Sequence, residues 1–306
     1  MKKHPTSLNP LPRGSGIFLY QHILTLMVLC FTFQSCSRSS EMVEDRDMPS
    51  YQINNHQNSQ LLRDHRIGVV VHRGANHLAP ENTYAAAAKA IGLGVDYVEI
   101  DVHRSLDGVH YIHHDLMLGR TTNGWGPIRF RSSQYIDQLD AGSWFSPAFA
   151  GEPIPHLATY LRWIKGKAKV YLDVKTADLE ELAALIYELD MENDTFFWFW
   201  SDLMLEEFRE LAPNLKVKVN ADSPKAVRDA KEEYNAYIVE CQVEEITPEL
   251  IATCQKLDIK IMAYADSNTP EEYMTVIQSE ADFVNLDKPS LYLEQLRQLS
   301  DSSMID

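Results

Sequence analysis

Residues 97–102 read YVEIDV, a run in which two carboxylates stand among Val, Ile and Tyr, residues that favour a buried strand. Alternate strand residues face the same way, so Glu99 and Asp101 share one face. Like charges so placed are unfavourable unless a cation, a shared proton or solvent relieves them. The spacing recurs in KVYLDVK at 169–175, where Asp173 and Lys175 share a face, while IGVVVHRG at 67–74 carries His72-Arg73 near its end and YIHHD at 111–115 supplies His113, His114 and Asp115. Three carboxylates converging from two strands make an oxygen-rich site suited to a hard cation, Ca2+ or Mg2+. Histidines at neighbouring strand ends titrate near neutrality and suit general acid and base work. Arg73 and Lys175 offer charge to a phosphate, Arg being the more directional donor. The set is that of metal-assisted phosphoryl transfer without a covalent protein intermediate.

Each piece also has a plainer reading. Glu99 and Asp101 would serve as a solvated pair at a strand end, Asp173 and Lys175 as a structural ion pair, and Glu81 and Asn82 as caps of the helix that follows. One of His113 and His114 faces away, because adjacent strand residues point to opposite sides. His77 and His103 have only proximity in their favour. What favours a site is the joint placement of these groups at the same ends of consecutive strands.

The elements that must position them alternate. Strands are expected at 67–74, 97–105, 169–175, 195–201, 216–220, 237–243, 259–267 and 282–288. Between them, NTYAAAAKAIGLG begins with Asn82 as a cap and ends in glycines, and ADLEELAALIYELD has helical apolar spacing with acids in its first turn. Three further helices open with Ser-Pro or Thr-Pro, a start signal. Eight strands alternating with helices fit an α/β fold, the (β/α)8 TIM barrel, whose active sites lie at the C-terminal strand ends. A doubly wound open sheet is the alternative, but HRGANHLAPENT is not the Gly-rich loop that usually follows its first strand. The alternation breaks at about 107–155, which reads as a hairpin and a Gly/Trp/Pro-rich insertion over that face.

At 45% hydrophobic and 24% charged, the composition is that of a globular protein. A net charge of −16 without a Lys/Arg cluster argues against nucleic-acid binding. Residues 1–17 carry Lys2, Lys3 and Arg13 and no acid, ILTLMVLCFTF follows at 23–33, and then QSCSRSS. This is the order of a secretory signal, too short for a comfortable membrane span. Ser35 before Cys36 resembles a bacterial lipoprotein signal, so residues 1–35 are expected to be removed and Cys36 lipidated. The polar, aperiodic stretch 36–66 reads as a tether and the body as 67–300. The expected location is the bacterial cell envelope, periplasm or cell surface, with a lipid anchor in the membrane. Cys241 and Cys254 lack the spacing of a zinc site and read as ordinary buried thiols.

HRG followed by PENT, then VEIDV, DG, HHD, TT and GWG, then GEPIPHL and YLDVK, resembles the glycerophosphodiester phosphodiesterase family from about Ile67 to Pro289. The resemblance implies a (β/α)8 barrel with a small insertion after the second strand, one divalent cation, and hydrolysis of glycerophosphodiesters to glycerol 3-phosphate and an alcohol. By motif position it implies His72 and His114 as catalytic; one serves as acid and the other as base, and we assign His114 as the base and His72 as the acid. It makes Glu99, Asp101 and Asp173 the metal ligands, with Arg73 and Lys175 on the phosphate. Two departures stand out: Asp173 replaces the usual Glu, one methylene longer, and Tyr264 lies where many members have a Trp-containing stretch. The nucleophile is either a water or a hydroxyl of the substrate's glycerol. Release of the cyclic phosphate would make the protein a lyase, and loss of turnover would leave a surface lipoprotein that only binds.

Overall fold

Along the inward face of the strands an apolar residue is followed, two positions on, by a polar or amphipathic one. Val70 precedes His72, Tyr97 precedes Glu99, Tyr171 precedes Asp173, Phe196 precedes Trp198, Ile238 precedes Glu240, and Met262 precedes Tyr264. The computed structural model describes Tyr51, Ile53 and residues 66–303. Its strands are β1 (Gly68–Val71), β2 (Tyr97–Arg104), β3 (His110–Ile112), β4 (Lys169–Val174), β5 (Thr195–Phe199), β6 (Lys218–Asn220), β7 (Ile238–Gln242), β8 (Lys260–Ala265) and β9 (Phe283–Leu286). All except β3 run parallel, in the order β5-β4-β2-β1-β9-β8-β7-β6. A parallel bridge between Phe197 and Val217 nearly closes the sheet into a barrel. The first members of the inward pairs form one packed layer, with Tyr171 stacked on Phe196 at 4.5 Å between ring centroids. The polar members lie one layer nearer the C-terminal mouth.

The outward face of these strands is apolar, and it packs against the helices. Val98, Ile100 and Val102 on β2 and Val170, Leu172 and Val174 on β4 join one large core. The helices are α1 (Tyr84–Leu93), α2 (Ser133–Ile136), α3 (Leu157–Ile164), α4 (Leu179–Glu188), α5 (Asp202–Leu211), α6 (Pro224–Tyr234), α7 (Pro248–Leu257), α8 (Pro270–Gln278) and α9 (Pro289–Ser303). Ser223, Thr247 and Thr269 cap α6, α7 and α8, each with a Pro at the start. The cap of α1 is Thr83, whose hydroxyl accepts from Ala86 N. Asn82, expected in that role, sits in the left-handed region at φ 58° and is turned elsewhere.

The insertion follows β2. Strand β3 pairs antiparallel with it, and short turns and α2 enclose a small core of Tyr111, Leu118, Ile128, Ile136, Ala141 and Ile154. Glu152 fastens this unit to the barrel by accepting from Ala85 N at 3.0 Å and from the Tyr51 hydroxyl at 2.5 Å. Tyr51 falls in the expected tether, and its ring meets Trp163 edge-on. The expected signal segment 1–35 and Cys36 lie outside the described residues, as does most of 36–66. Among the described residues no helix is long and apolar enough to cross a membrane. Cys241 and Cys254 are free and buried.

Candidate active site

Strands β2 and β4 run in register with Asp101 opposite Asp173. That register, together with the two-residue spacing within β2, brings Glu99, Asp101 and Asp173 together. One carboxylate oxygen from each lies within 4.8 Å of the other two. Glu99 and Asp101 are essentially inaccessible to solvent, at 1% and 0%, so water does not relieve the repulsion. Each acid is oriented through one oxygen. Arg73 N donates to Glu99 Oε2 at 2.6 Å, Asn82 Nδ2 to Asp101 Oδ2 at 2.7 Å, and Lys175 Nζ to Asp173 Oδ2 at 2.7 Å. The second oxygens, Glu99 Oε1, Asp101 Oδ1 and Asp173 Oδ1, are buried without a hydrogen-bond partner. Asp101 Oδ1 has a charge contact with Lys175 Nζ at 3.1 Å.

Buried acceptors without hydrogen bonds are costly, and here three belong to one cluster. Burial and the Asp101 charge push the Glu99 carboxyl up, and the same two causes raise Asp173. For Asp101, burial is outweighed by Lys175, His114 and Arg73, which pull it down. Without a cation the cluster therefore tends to keep a proton. An all-oxygen set of this kind fits a hard divalent ion, and the shorter Asp173 reaches the cluster.

The loop after β1 is built for close approach. Arg73 and Gly74 both have positive φ, 55° and 74°, and a Cβ on Gly74 would come within 2.8 Å of Ala86 on α1. Only glycine fits there, between a left-handed turn and an alanine-rich helix. The turn aims Arg73 N at Glu99 and holds the guanidinium beside Asp101, 3.5 Å from Nε, and beside Glu81, 3.1 Å from Nη1. Asn82, freed from capping, both donates to Asp101 and accepts from its backbone N.

His72 and His114 each face a carboxylate through Nδ1, at 2.9 Å from Asp287 and 2.7 Å from Asp115. Burial alone would lower the His72 pKa, but the Asp287 hydrogen bond and the Glu99 charge outweigh it and raise it to about 9. Asp287 also accepts from Asn76 at 2.7 Å and from Asn268 at 3.1 Å. Arg73 Nε lies 3.2 Å from His72 Nε2. It donates there only while that nitrogen is unprotonated. His103, driven down to about 4 by burial, is neutral. Its Nε2 lies 3.0 Å from the His114 carbonyl and its Nδ1 3.2 Å from Thr176 Oγ1, so it braces the loop that presents His114. His113 is buried and turned toward the Met117 carbonyl, and His77 meets Ser290 instead of the acids.

Lys175 also stands 5.3 Å from the ring centroids of both Trp198 and Trp200. Farther round the mouth, Lys218 binds Glu240 and Asn220, and Asn285 donates to Glu240 at 3.0 Å. Tyr264 shares the walls of a cavity of about 310 Å³ with Asn220, Glu240, Gln242 and Glu245. The structure thus brings together Glu99, Asp101, Asp173, Arg73 and Lys175, and turns His113 away. It adds Asp287, Asn82 and Glu81. Asp287 had a visible signal, a carboxylate at a strand end before Pro289. Glu81 and Asn82 were visible only as helix caps.

Comparison with known proteins follows the same outline. Residues 72–290 match the pattern of the Glycerophosphoryl diester phosphodiesterase family. The chain is 29% identical over 240 residues to a glycerophosphodiester phosphodiesterase of Caldanaerobacter subterraneus subsp. tengcongensis, covering 75% of this chain and 97% of that protein. It is 33% identical over 156 residues to YhdW of Bacillus subtilis, covering 49% of this chain and only 64% of the relative. Among solved structures, a glycerophosphodiester phosphodiesterase from Agrobacterium tumefaciens aligns with a TM-score of 0.72 and 38% identity, over 74% of this chain and 99% of its own. A phosphodiesterase of Oleispira antarctica in complex with the product sn-glycerol-3-phosphate aligns at 0.65 and 26%, over 76% and 96%.

Thermal denaturation tests the fit of the triad to a cation. Mg2+ or Ca2+ should stabilise the protein by about 2.7 kcal/mol at a hundredfold excess over Kd, and Asp173→Asn should abolish the response. An equal response in the variant would show that the ion binds elsewhere.

Proposed function

The chain belongs to the glycerophosphoryl diester phosphodiesterase family, a family of phosphoric diester hydrolases, and on that premise we propose that it cleaves glycerophosphodiesters to glycerol 3-phosphate and an alcohol with a divalent cation and two histidines. The observation that carries the reading is the buried cluster of three carboxylates, each with one oxygen that accepts no hydrogen bond, with Arg73 and Lys175 against it. Glu99, Asp101 and Asp173 would hold Ca2+ or Mg2+, which when bound supplies positive charge against the phosphate and its developing negative charge.

The remaining roles belong to side chains. Arg73 and Lys175 place their charges at the rim of the acid cluster, where the phosphate oxygens must lie. His114 keeps Nδ1 on Asp115 and presents Nε2 as the base, taking the proton from the attacking water. As the new P–O bond forms, the bond to the alcohol breaks, and His72 Nε2 gives its proton to the departing alkoxide. The raised pKa of His72 suits the acid role, since it arrives protonated at neutral pH. A glycerol hydroxyl in place of water would give a cyclic phosphate first.

Location belongs to the same proposal. Export, cleavage before Cys36 and lipidation there would place the site at a membrane surface, among phospholipid breakdown products. Intact mass of the envelope-purified protein tests this: the mature N-terminus should be Cys36 carrying acyl chains, and retention of residues 1–35 would contradict it.

Release of glycerol 3-phosphate from glycerophosphocholine tests the reaction. His72→Ala and His114→Ala should each lower kcat by ~10²–10⁴ with the fold intact. Full activity in a folded His114→Ala protein would refute the assignment, as would a cyclic phosphate as final product by phosphorus NMR for hydrolysis. The pH profile tests His72 separately. Asp287 raises the pKa of the acid, so Asp287→Asn should move the alkaline limb of kcat/KM to lower pH. An unmoved limb would mean that another group sets it.

A further inference from the structure

Arg120 has no part in the scheme above, yet it touches both halves of the site. It lies in the insertion, in the single turn Leu118–Arg120. Nη1 and Nη2 donate to Glu81 Oε2 and Oε1 at 2.9 and 2.7 Å. On its other edge Nε donates to Asp115 Oδ2, and Nη2 to Asp115 Oδ1 at 3.1 Å. Two carboxylates are thus each gripped in a fork, the arrangement that makes guanidinium contacts directional. Asp115 Oδ1 continues to His114 Nδ1 at 2.7 Å, and Glu81 Oε1 continues to Arg73 Nη1 at 3.1 Å.

We propose that Arg120 is a positioning residue: by locking the Asp115 carboxylate it fixes the plane of the His114 imidazole for proton transfer, and by locking Glu81 it fixes the reach of Arg73. The proposal rests on the assignment of His114 as base. The geometry leaves the work to Arg120. Asp115 is next to His114 in sequence and has no other side-chain cation on it among the described residues. Without the fork its carboxylate is free to rotate, and the ring with it. Lysine would not replace arginine, because a single ammonium cannot hold two carboxylates bidentately. The side chain is 43% exposed, so truncation leaves no buried void.

The test is a double-mutant cycle on kcat and KM for glycerophosphocholine, with melting temperatures. Arg120→Ala should keep the fold and lower kcat by about tenfold to a hundredfold, the scale of a small misplacement of a reacting group. Asp115→Asn should lose a similar factor, and the double variant little more than the larger single loss, because both break one chain of contacts. Guanidinium added in solution should restore part of the activity of Arg120→Ala and none of that of Asp115→Asn, a response that a purely structural role would not give. Wild-type kcat in Arg120→Ala, or multiplicative losses in the double variant, would overturn the proposal while His114→Ala remains inactive. An active His114→Ala would instead overturn the assignment beneath it.

Discussion

Three carboxylates in one buried place repel one another, and much of the barrel mouth is arranged around that repulsion. The fold creates it deliberately, in the sense that β2 and β4 could not be in their observed register without opposing Asp101 to Asp173. Each acid is held through a single oxygen by a different element: the turn after β1, the residue before the α1 cap, and the end of β4. The second oxygens carry no hydrogen bond, and only that of Asp101 meets a cation, Lys175. A hydrogen-bonded structural network would have satisfied them. Two strand-end cations, Arg73 and Lys175, lower the repulsion without removing it, and the all-oxygen set that remains is one a divalent ion would fit.

The histidines depend on the same frame. The turn that carries Arg73 also carries His72, so the residue that orients Glu99 is the neighbour of the proposed acid. Asp287 comes to His72 from just beyond β9, which pairs with β1. His114 is supplied by the insertion, which must therefore be fixed to the barrel. Glu152 does this at the base of α1, His103 at the His114 carbonyl, and Arg120 at Glu81. The insertion is a structural part of the site.

Much of this was legible in YVEIDV, because strand alternation fixes which side chains share a face, and apolar neighbours fix that the strand is buried. The same logic placed Asp173 and Lys175, and the alternation of elements gave the barrel. It did not separate His113 from His114, since both orientations satisfy an irregular strand end; the motif resemblance did. Asn82 misled because Asn before a helix commonly caps it, whereas the side chain was needed 19 residues away on Asp101 and Thr83 took the cap. Asp287 binds a histidine 215 positions distant, and Arg120 binds Glu81 across 39. Such partners are set by barrel closure and loop path, which local patterns do not encode.

The most direct test of the central claim is the proton balance of cation binding. Titration calorimetry with Mg2+ or Ca2+ near pH 7, repeated in buffers of different ionisation enthalpy, counts protons released as the ion enters. Because burial and mutual repulsion raise Glu99 and Asp173 and so favour a proton on the triad without an ion, and metal ligation requires its loss, binding of one ion should expel protons and the observed heat should depend on the buffer. One-to-one binding with a buffer-independent heat, or no binding, would contradict the account.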